Sequence, residues 1–225
     1  MSIGFRILPR QRAVDAATAA KFRDVPVACI SDSMNRLFAG GPELRPMHKG
    51  GALSGPALTV RVRPGDNLMI HKALLMIQPG DVIVVDAGGD LSNALVGELM
   101  LSHAMMSGAA GVVIWGAIRD HGWISEHDFP VYAAGVTHRG PYKDGPGEIN
   151  VPLAIGGMVI EPGDLIVGDD DGIVCVKFDD TESVYAAAKK KADGEAVVLA
   201  NTLSGKLDPK TWVDEALRKL GCEGV

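Results

Sequence analysis

Cysteine is scarce in this chain. Cys29, Cys175 and Cys222 are the only three among 225 residues, and no two form a CxxC pair. An odd, scattered set argues against a disulfide framework or a structural zinc site and suits a reducing, cytoplasmic compartment. Two of the three sit in apolar runs (VACI and IVCV) that suggest inert buried thiols. No apolar run approaches the length needed to cross a bilayer. The first residues, MSIGFRILPRQRAVD, are charged throughout and lack the apolar stretch of a signal peptide. Basic excess is also missing: the net charge is −6, which argues against a nucleic-acid or anionic-membrane binder but leaves an anionic small substrate open. GxGxxG, P-loop, GxSxG and HExxH motifs are all missing, so nucleotide binding and the commonest nucleophile and zinc-protease patterns have no support.

What is present is an ordinary globular composition, 47% apolar and 22% charged, enough for one domain with a real core. Residues 11–23 (QRAVDAATAAKFR) read as a first helix and 29–38 as a second, with Ser31 or Asp32 as possible caps. Residues 39–56 read as loops and 57–62 (ALTVRV) as a strand. Residues 68–76 have helical spacing. VIVVDA (82–87) and GVVIWGAI (111–118) read as strands buried on both faces, with a helix between them over roughly 93–106. From 128 onward short strands (FPVYAAG, GMVI, DLIVGD, GIVCVK) alternate with turns. The PGD triplets at 64–66, 79–81 and 162–164 suggest recurring turn geometry rather than an internal repeat. From about 182 the chain is helical again. The sum is a single α/β domain over 1–225, with a mixed sheet and helices at both ends.

The chemistry centres on Arg119-Asp120, where an apolar strand stops at a charged pair. In open α/β folds, ligands bind at strand C-terminal ends. Arginine offers a planar fork for a carboxylate, and aspartate a hard oxygen for magnesium or manganese. A solvated strand end explains the same residues equally well. GGDLSNALVGELM (88–100) is the second feature. If its regular helix starts near Gly97, the amides of Glu98, Leu99 and Met100 fall in the first turn and could cradle an anion, although a plain turn and helix is the commoner explanation. Glu98 and Asp120 would then supply two acidic groups beside one arginine. His71 reads as structural, His103 as a core histidine and His121 as a solvated loop histidine. Asp169-Asp170-Asp171-Gly172 reads as an exposed turn.

The segments ISDSMNRL, GDNLMIHKAL, QPGDVIVVDAGG, ALVGELM, GVVIWGAIRD, RGPYKDGPGEINVP and PGDLIVGDDDGIV together resemble the RraA-like superfamily. The likeness runs from about 25 to 178, leaving a C-terminal helical extension over about 182–225. Within the superfamily they are most similar to the 4-hydroxy-4-methyl-2-oxoglutarate / 4-carboxy-4-hydroxy-2-oxoadipate aldolases, which also decarboxylate oxaloacetate. The resemblance implies a swivelling β/β/α fold and a homotrimer, or a hexamer of paired trimers, with sites between subunits. It implies a class II lyase using Mg2+ or Mn2+ on a small 2-oxo acid. Arg119 would bind the keto acid and steady its enolate, Asp120 would ligate the metal, and Glu98 would hold a metal-bound water. Gly97 and the amides around Leu99 and Met100 would receive the pyruvate carboxylate. Glu195, from a neighbouring subunit, would complete the metal shell.

Two positions depart from the aldolase pattern. Trp123 stands three residues after Asp120, where an acid is usual, and Trp115 stands where the strand usually carries an aspartate. Trp123 is therefore expected to reshape the part of the pocket that holds the second product. The rival reading is a non-catalytic RraA-type regulator that binds a ribonuclease. Such regulators generally lack the acid after the arginine, and the presence of both Asp120 and Glu98 favours the enzyme. A menaquinone-pathway methyltransferase lacks any glycine-rich or ribose-binding motif to support it.

Overall fold

The computed structural model describes residues 3–225, which form two compact units, one up to Lys189 and one from Lys190 to Val225. The strands are β1 (Phe5–Ile7), β2 (Arg45–Pro46), β3 (Leu53–Val62), β4 (Val82–Asp86), β5 (Ala94–Val96), β6 (Gly111–Ile118), β7 (Val131–Val136), β8 (Gly147–Ile149), β9 (Leu153–Ile155), β10 (Met158–Ile160), β11 (Leu165–Asp169) and β12 (Gly172–Val176). The helices are α1 (Ala16–Phe22), α2 (Val27–Ser33), α3 (Leu68–Leu74), α4 (Glu98–Met106), α5 (His121–Ile124), α6 (Thr181–Leu203) and α7 (Trp212–Lys219).

The first unit is built on one large mixed sheet with the order β1-β8-β3-β4-β6-β7-β2. Its centre, β3-β4-β6-β7, is parallel, with β5 joined to β6, while β11 and β12 extend it antiparallel through β3. Alternation along the central strands divides the core between two faces. Ile83, Val85, Ile114 and Ile118 join the cluster under α3 and α4, whereas Val82, Val84 and Val113 join Tyr132, Ile166 and Cys175 on the other side. That two-sided burial is why VIVVD and GVVIWGAI are near-continuous apolar runs.

Helix boundaries are tighter than the sequence suggests. α1 begins at Ala16 because Asp15 caps it, its side chain accepting from the Thr18 amide at 2.9 Å. α2 starts after Pro26 and ends at Ser33, where Ser33 and then Asn35 and Arg36 at positive φ break it, so neither Ser31 nor Asp32 is a cap. The helix expected over 93–106 splits: 94–96 pairs with β6 as β5, and the helix proper is Glu98–Met106. The strand expected at 57–62 begins four residues earlier, because Leu53–Pro56 pair with β11.

The second unit continues α6 and adds α7. Val197, Val198, Leu203 and Trp212 are exposed on it. Among the described residues no helix is long and apolar enough to cross a membrane.

Candidate active site

The site forms at the C-terminal end of β6. There the chain leaves the sheet at Arg119, whose amide donates to the Val96 carbonyl at 3.0 Å, and turns sharply through Asp120. Asp120 has φ 58° and ψ 36°, a left-handed conformation that a non-glycine residue holds only under the constraint of its surroundings. The constraint is visible. Its Oδ2 accepts the Glu98 amide at 3.0 Å and lies 3.7 Å from Arg119 Nε. Gly97 makes room for it: a Cβ built there would come within 2.2 Å of Asp120 Oδ2 and 2.9 Å of Arg119 Cγ. Gly97 itself is extended (φ −155°), so clearance and not backbone freedom demands glycine here.

A cavity of about 150 Å3 opens against this corner, walled by Gly97, Leu99, Met100, Arg119 and Asp120. Three of the candidate residues from the α4 end and both members of the charged pair thus share one space. The Arg119 and Asp120 side chains are 44% and 41% exposed, so both can reach a ligand from bulk water. In the first turn of α4 the Glu98 amide donates to Asp120, and the Met100 amide bonds the Gly97 carbonyl at 3.1 Å. The Glu98 side chain is exposed. Glu195 lies in the second unit on α6, with Lys191 Nζ 3.1 Å from its carboxylate.

The donor chemistry fits a hard cation. Asp120 offers a carboxylate fixed by a backbone amide, Glu98 a second acid at the adjoining helix start, and magnesium or manganese keeps several waters when held by one or two carboxylates. Among the described residues of one chain, no group of three or more His, Cys, Asp or Glu is placed to hold a metal. A further protein ligand would therefore come from outside this cluster.

The cavity lining also includes Asn67, His71 and Lys143, which the sequence did not single out for the site. Asn67 and His71 are four residues apart, so one helical turn stacks them, a spacing legible in GDNLMIH. Lys143 arrives on the loop before β8. That loop is tied down by Tyr142 N to the Gly65 carbonyl (2.8 Å) and by the amides of Asp144 (2.7 Å) and Gly145 (2.9 Å) to the fully buried Asp66 Oδ2. His71 lines the cavity, and burial and then Lys143 lower its pKa from the usual histidine value. His103 is exposed, not a core residue. His121 is exposed, as expected of a loop histidine, and opens the short α5.

The two tryptophans lie elsewhere. Trp123 stacks on His127 with ring centroids 3.9 Å apart and packs against the core, and it is not among the cavity's lining residues. Trp115 packs over Gly89, where a Cβ would meet its ring at 3.1 Å. Cys29 and Cys175 are buried, and burial followed by the charge of Asp164 pushes the Cys175 thiol far up, which fits an inert role. Cys222 is exposed.

Comparison with known proteins agrees with this architecture. The family model described as RraA-like, Aldolase/RraA, matches residues 27–175. A Halalkalibacterium halodurans protein named "Putative 4-hydroxy-4-methyl-2-oxoglutarate aldolase" is 44% identical over 177 residues, 78% of this chain and 84% of that protein. The crystal structure of Streptomyces coelicolor RraAS2, described as an unusual member of the RNase ES inhibitor RraA protein family, superposes with a TM-score of 0.74 at 28% identity, covering 84% of this chain and 98% of that one. The Thermus RNA-processing inhibitor RraA superposes with a TM-score of 0.63 at 30% identity, covering 68% and 93%. The sheet order, the cavity at the end of β6 and a match over most of the first unit lead to one conclusion: this chain belongs to the RraA-like family.

Proposed function

We propose that this chain is a divalent-metal-dependent lyase. It cleaves a 4-hydroxy-2-oxo acid to pyruvate and a second oxo acid, and decarboxylates oxaloacetate as a side activity. The observation that carries the reading is the corner itself: Gly97 gives clearance for an Asp120 pinned by the Glu98 amide, beside an Arg119 open to the same cavity. The aldolase name of the 44% identical relative supports it.

Cleavage of the carbon–carbon bond leaves pyruvate as its enolate. Arg119 presents a fork of N–H donors to the 2-oxo acid and places fixed positive charge where the enolate oxygen develops. The first turn of α4, with Gly97, Leu99 and Met100, receives the carboxylate at a helix start whose dipole favours an anion. Asp120 and Glu98, with Glu195 of the partner subunit in a homotrimer or hexamer, would hold Mg2+ or Mn2+. Such a cation supplies Lewis-acid stabilisation of the enolate charge. The exposed apolar side chains of the second unit suit a subunit contact.

The purified chain with Mg2+ or Mn2+ is expected to release pyruvate from 4-hydroxy-4-methyl-2-oxoglutarate and from oxaloacetate, and EDTA is expected to abolish both. A second reading, a ribonuclease-binding regulator, is favoured by the likeness to the Streptomyces and Thermus RraA proteins. Inhibition of a ribonuclease without metal-dependent pyruvate release would establish that reading and sink the lyase.

A further inference from the structure

Two polar atoms at the cavity have no role in the chemistry above. Asn67 precedes α3 and is 2% exposed. Its amide is oriented by Nδ2, which donates to the Leu95 carbonyl at 2.8 Å and meets Met100 Sδ at 3.4 Å. The remaining atom, Oδ1, is buried with no hydrogen-bond partner, and so is Nε2 of His71 one turn later. Each such atom destabilises the fold when left unpaired. Both residues line the cavity that holds Arg119 and Asp120. Buried orphans of this kind are rare in folded proteins, and two on one helical turn at one cavity indicate groups that pair with a ligand.

We infer that His71 Nε2 is the base that takes the proton from the 4-hydroxyl of the substrate. The inference rests on the lyase reading and assigns it a residue that reading lacks. The step balances within the site. The hydroxyl proton moves to Nε2, the C4–O bond becomes a carbonyl, and the C3–C4 bond breaks. Its electron pair passes into the pyruvate enolate, and the imidazolium returns the proton to C3. No co-reactant is consumed.

The surroundings keep His71 available as a base. Lys143 on the loop before β8 and His103 on α4 both lower its pKa, on top of burial. Glu148 on β8, a strand in contact with α3, is turned to Arg6 and to Arg61 on β3. Lys72 adjoins it on α3, and Arg119 and Asp120 share its cavity. A histidine held below its usual value is neutral at pH 7, the form a base requires.

Oxaloacetate has no hydroxyl to deprotonate, so the two reactions separate this role from a structural one. With Mn2+ and the full chain, His71→Asn is expected to slow cleavage of 4-hydroxy-4-methyl-2-oxoglutarate at least about 100-fold, the usual scale of general-base catalysis, and to slow oxaloacetate decarboxylation by a factor at least about tenfold smaller. The wild-type cleavage rate is expected to fall as pH drops through a value below the ordinary histidine pKa, and that limb to vanish in the variant. Equal losses on both substrates, or no loss on cleavage, would overturn the assignment. Silence of the wild-type chain on both substrates would overturn the lyase reading and this inference together. A measurement independent of turnover and of the variant's folding uses 15N-labelled histidine in the metal-free wild type. The His71 ring is expected to carry a single ring proton at pH 7, and a ring protonated on both nitrogens there contradicts a base.

Discussion

At the scale of single residues, the site depends on what is absent at position 97. A methyl group there would stand 2.2 Å from Asp120 Oδ2, so Gly97→Ala forces the carboxylate out of its bond to the Glu98 amide. Overpacking of this kind costs roughly 1–3 kcal/mol of stability. The effect on turnover is expected to be larger, a fall of about 100-fold or more in kcat/KM, since a 1 Å misplacement can cost that much. Steady-state kinetics beside a thermal melt checks the imbalance. Asp66 makes the opposite case. It is fully buried and accepts the amides of Leu68, Asp144 and Gly145, so Asp66→Ala leaves three donors unpaired and is expected to cost about 3 kcal/mol or more. Urea titration measures that loss, and a raised KM would report release of the Lys143 loop. Arg119 and Asp120 were legible in the sequence because a long apolar strand ends on them. Asn67 and His71 were not, although their spacing is plain, because an orphaned atom exists only once α3, β5 and α4 have met.

At the scale of elements, the PGD triplets prove to be one device used three times. Gly65, Gly80 and Gly163 all have φ between 75° and 92°, and each Asp amide bonds the carbonyl three residues back. The aspartates Asp66, Asp81 and Asp164 are all buried. Asp81 and Asp164 each accept the amide of the residue three positions earlier, Gln78 or Glu161, at 2.9 Å. Proline before a positive-φ glycine is the signature of a type II turn. The surroundings differ, and so should the consequences. A Cβ at Gly163 would meet the Arg12 carbonyl oxygen at 2.0 Å, whereas one at Gly80 meets nothing within 4 Å. Gly80→Ala is therefore expected to cost only the left-handed strain, about 1–2 kcal/mol, and Gly163→Ala clearly more, as two chemical melts would show. The strands at 82–86 and 111–118 were readable because burial on both faces leaves an unbroken apolar run. β5 was not, since Ala94–Val96 is only three residues long and adjoins a true helix start, so helical spacing appeared to continue through it.

At the scale of the whole molecule, no group of three or more His, Cys, Asp or Glu is placed to hold a metal among the described residues of a single chain, so the proposed site at Asp120 and Glu98 needs a third protein ligand from elsewhere. If Glu195 of the partner subunit supplies it, the chain of 23.6 kDa should run in solution as a trimer or a multiple of one, which light scattering tests. Mixed assemblies give a sharper check. Asp120→Ala and Glu195→Ala subunits, each inactive alone, are expected to regain part of the activity when unfolded and refolded together, because some sites then draw an intact Asp120 and an intact Glu195 from different chains. No recovery would place all the ligands within one subunit. Neither the assembly nor the role of Glu195 follows from periodicity or composition, since both depend on contacts a lone sequence does not encode locally.

The central claim is that the Arg119-Asp120 corner performs metal-dependent carbon–carbon cleavage, and pyruvate release by Asp120→Ala in saturating Mg2+ tests it most directly. Loss of the Asp120 bond to the Glu98 amide should lower the melting temperature by only a few degrees, roughly 1 kcal/mol, while release from 4-hydroxy-4-methyl-2-oxoglutarate falls at least about 1,000-fold, some 4 kcal/mol of transition-state stabilisation. A variant that melts normally and still releases pyruvate at the wild-type rate would contradict the account.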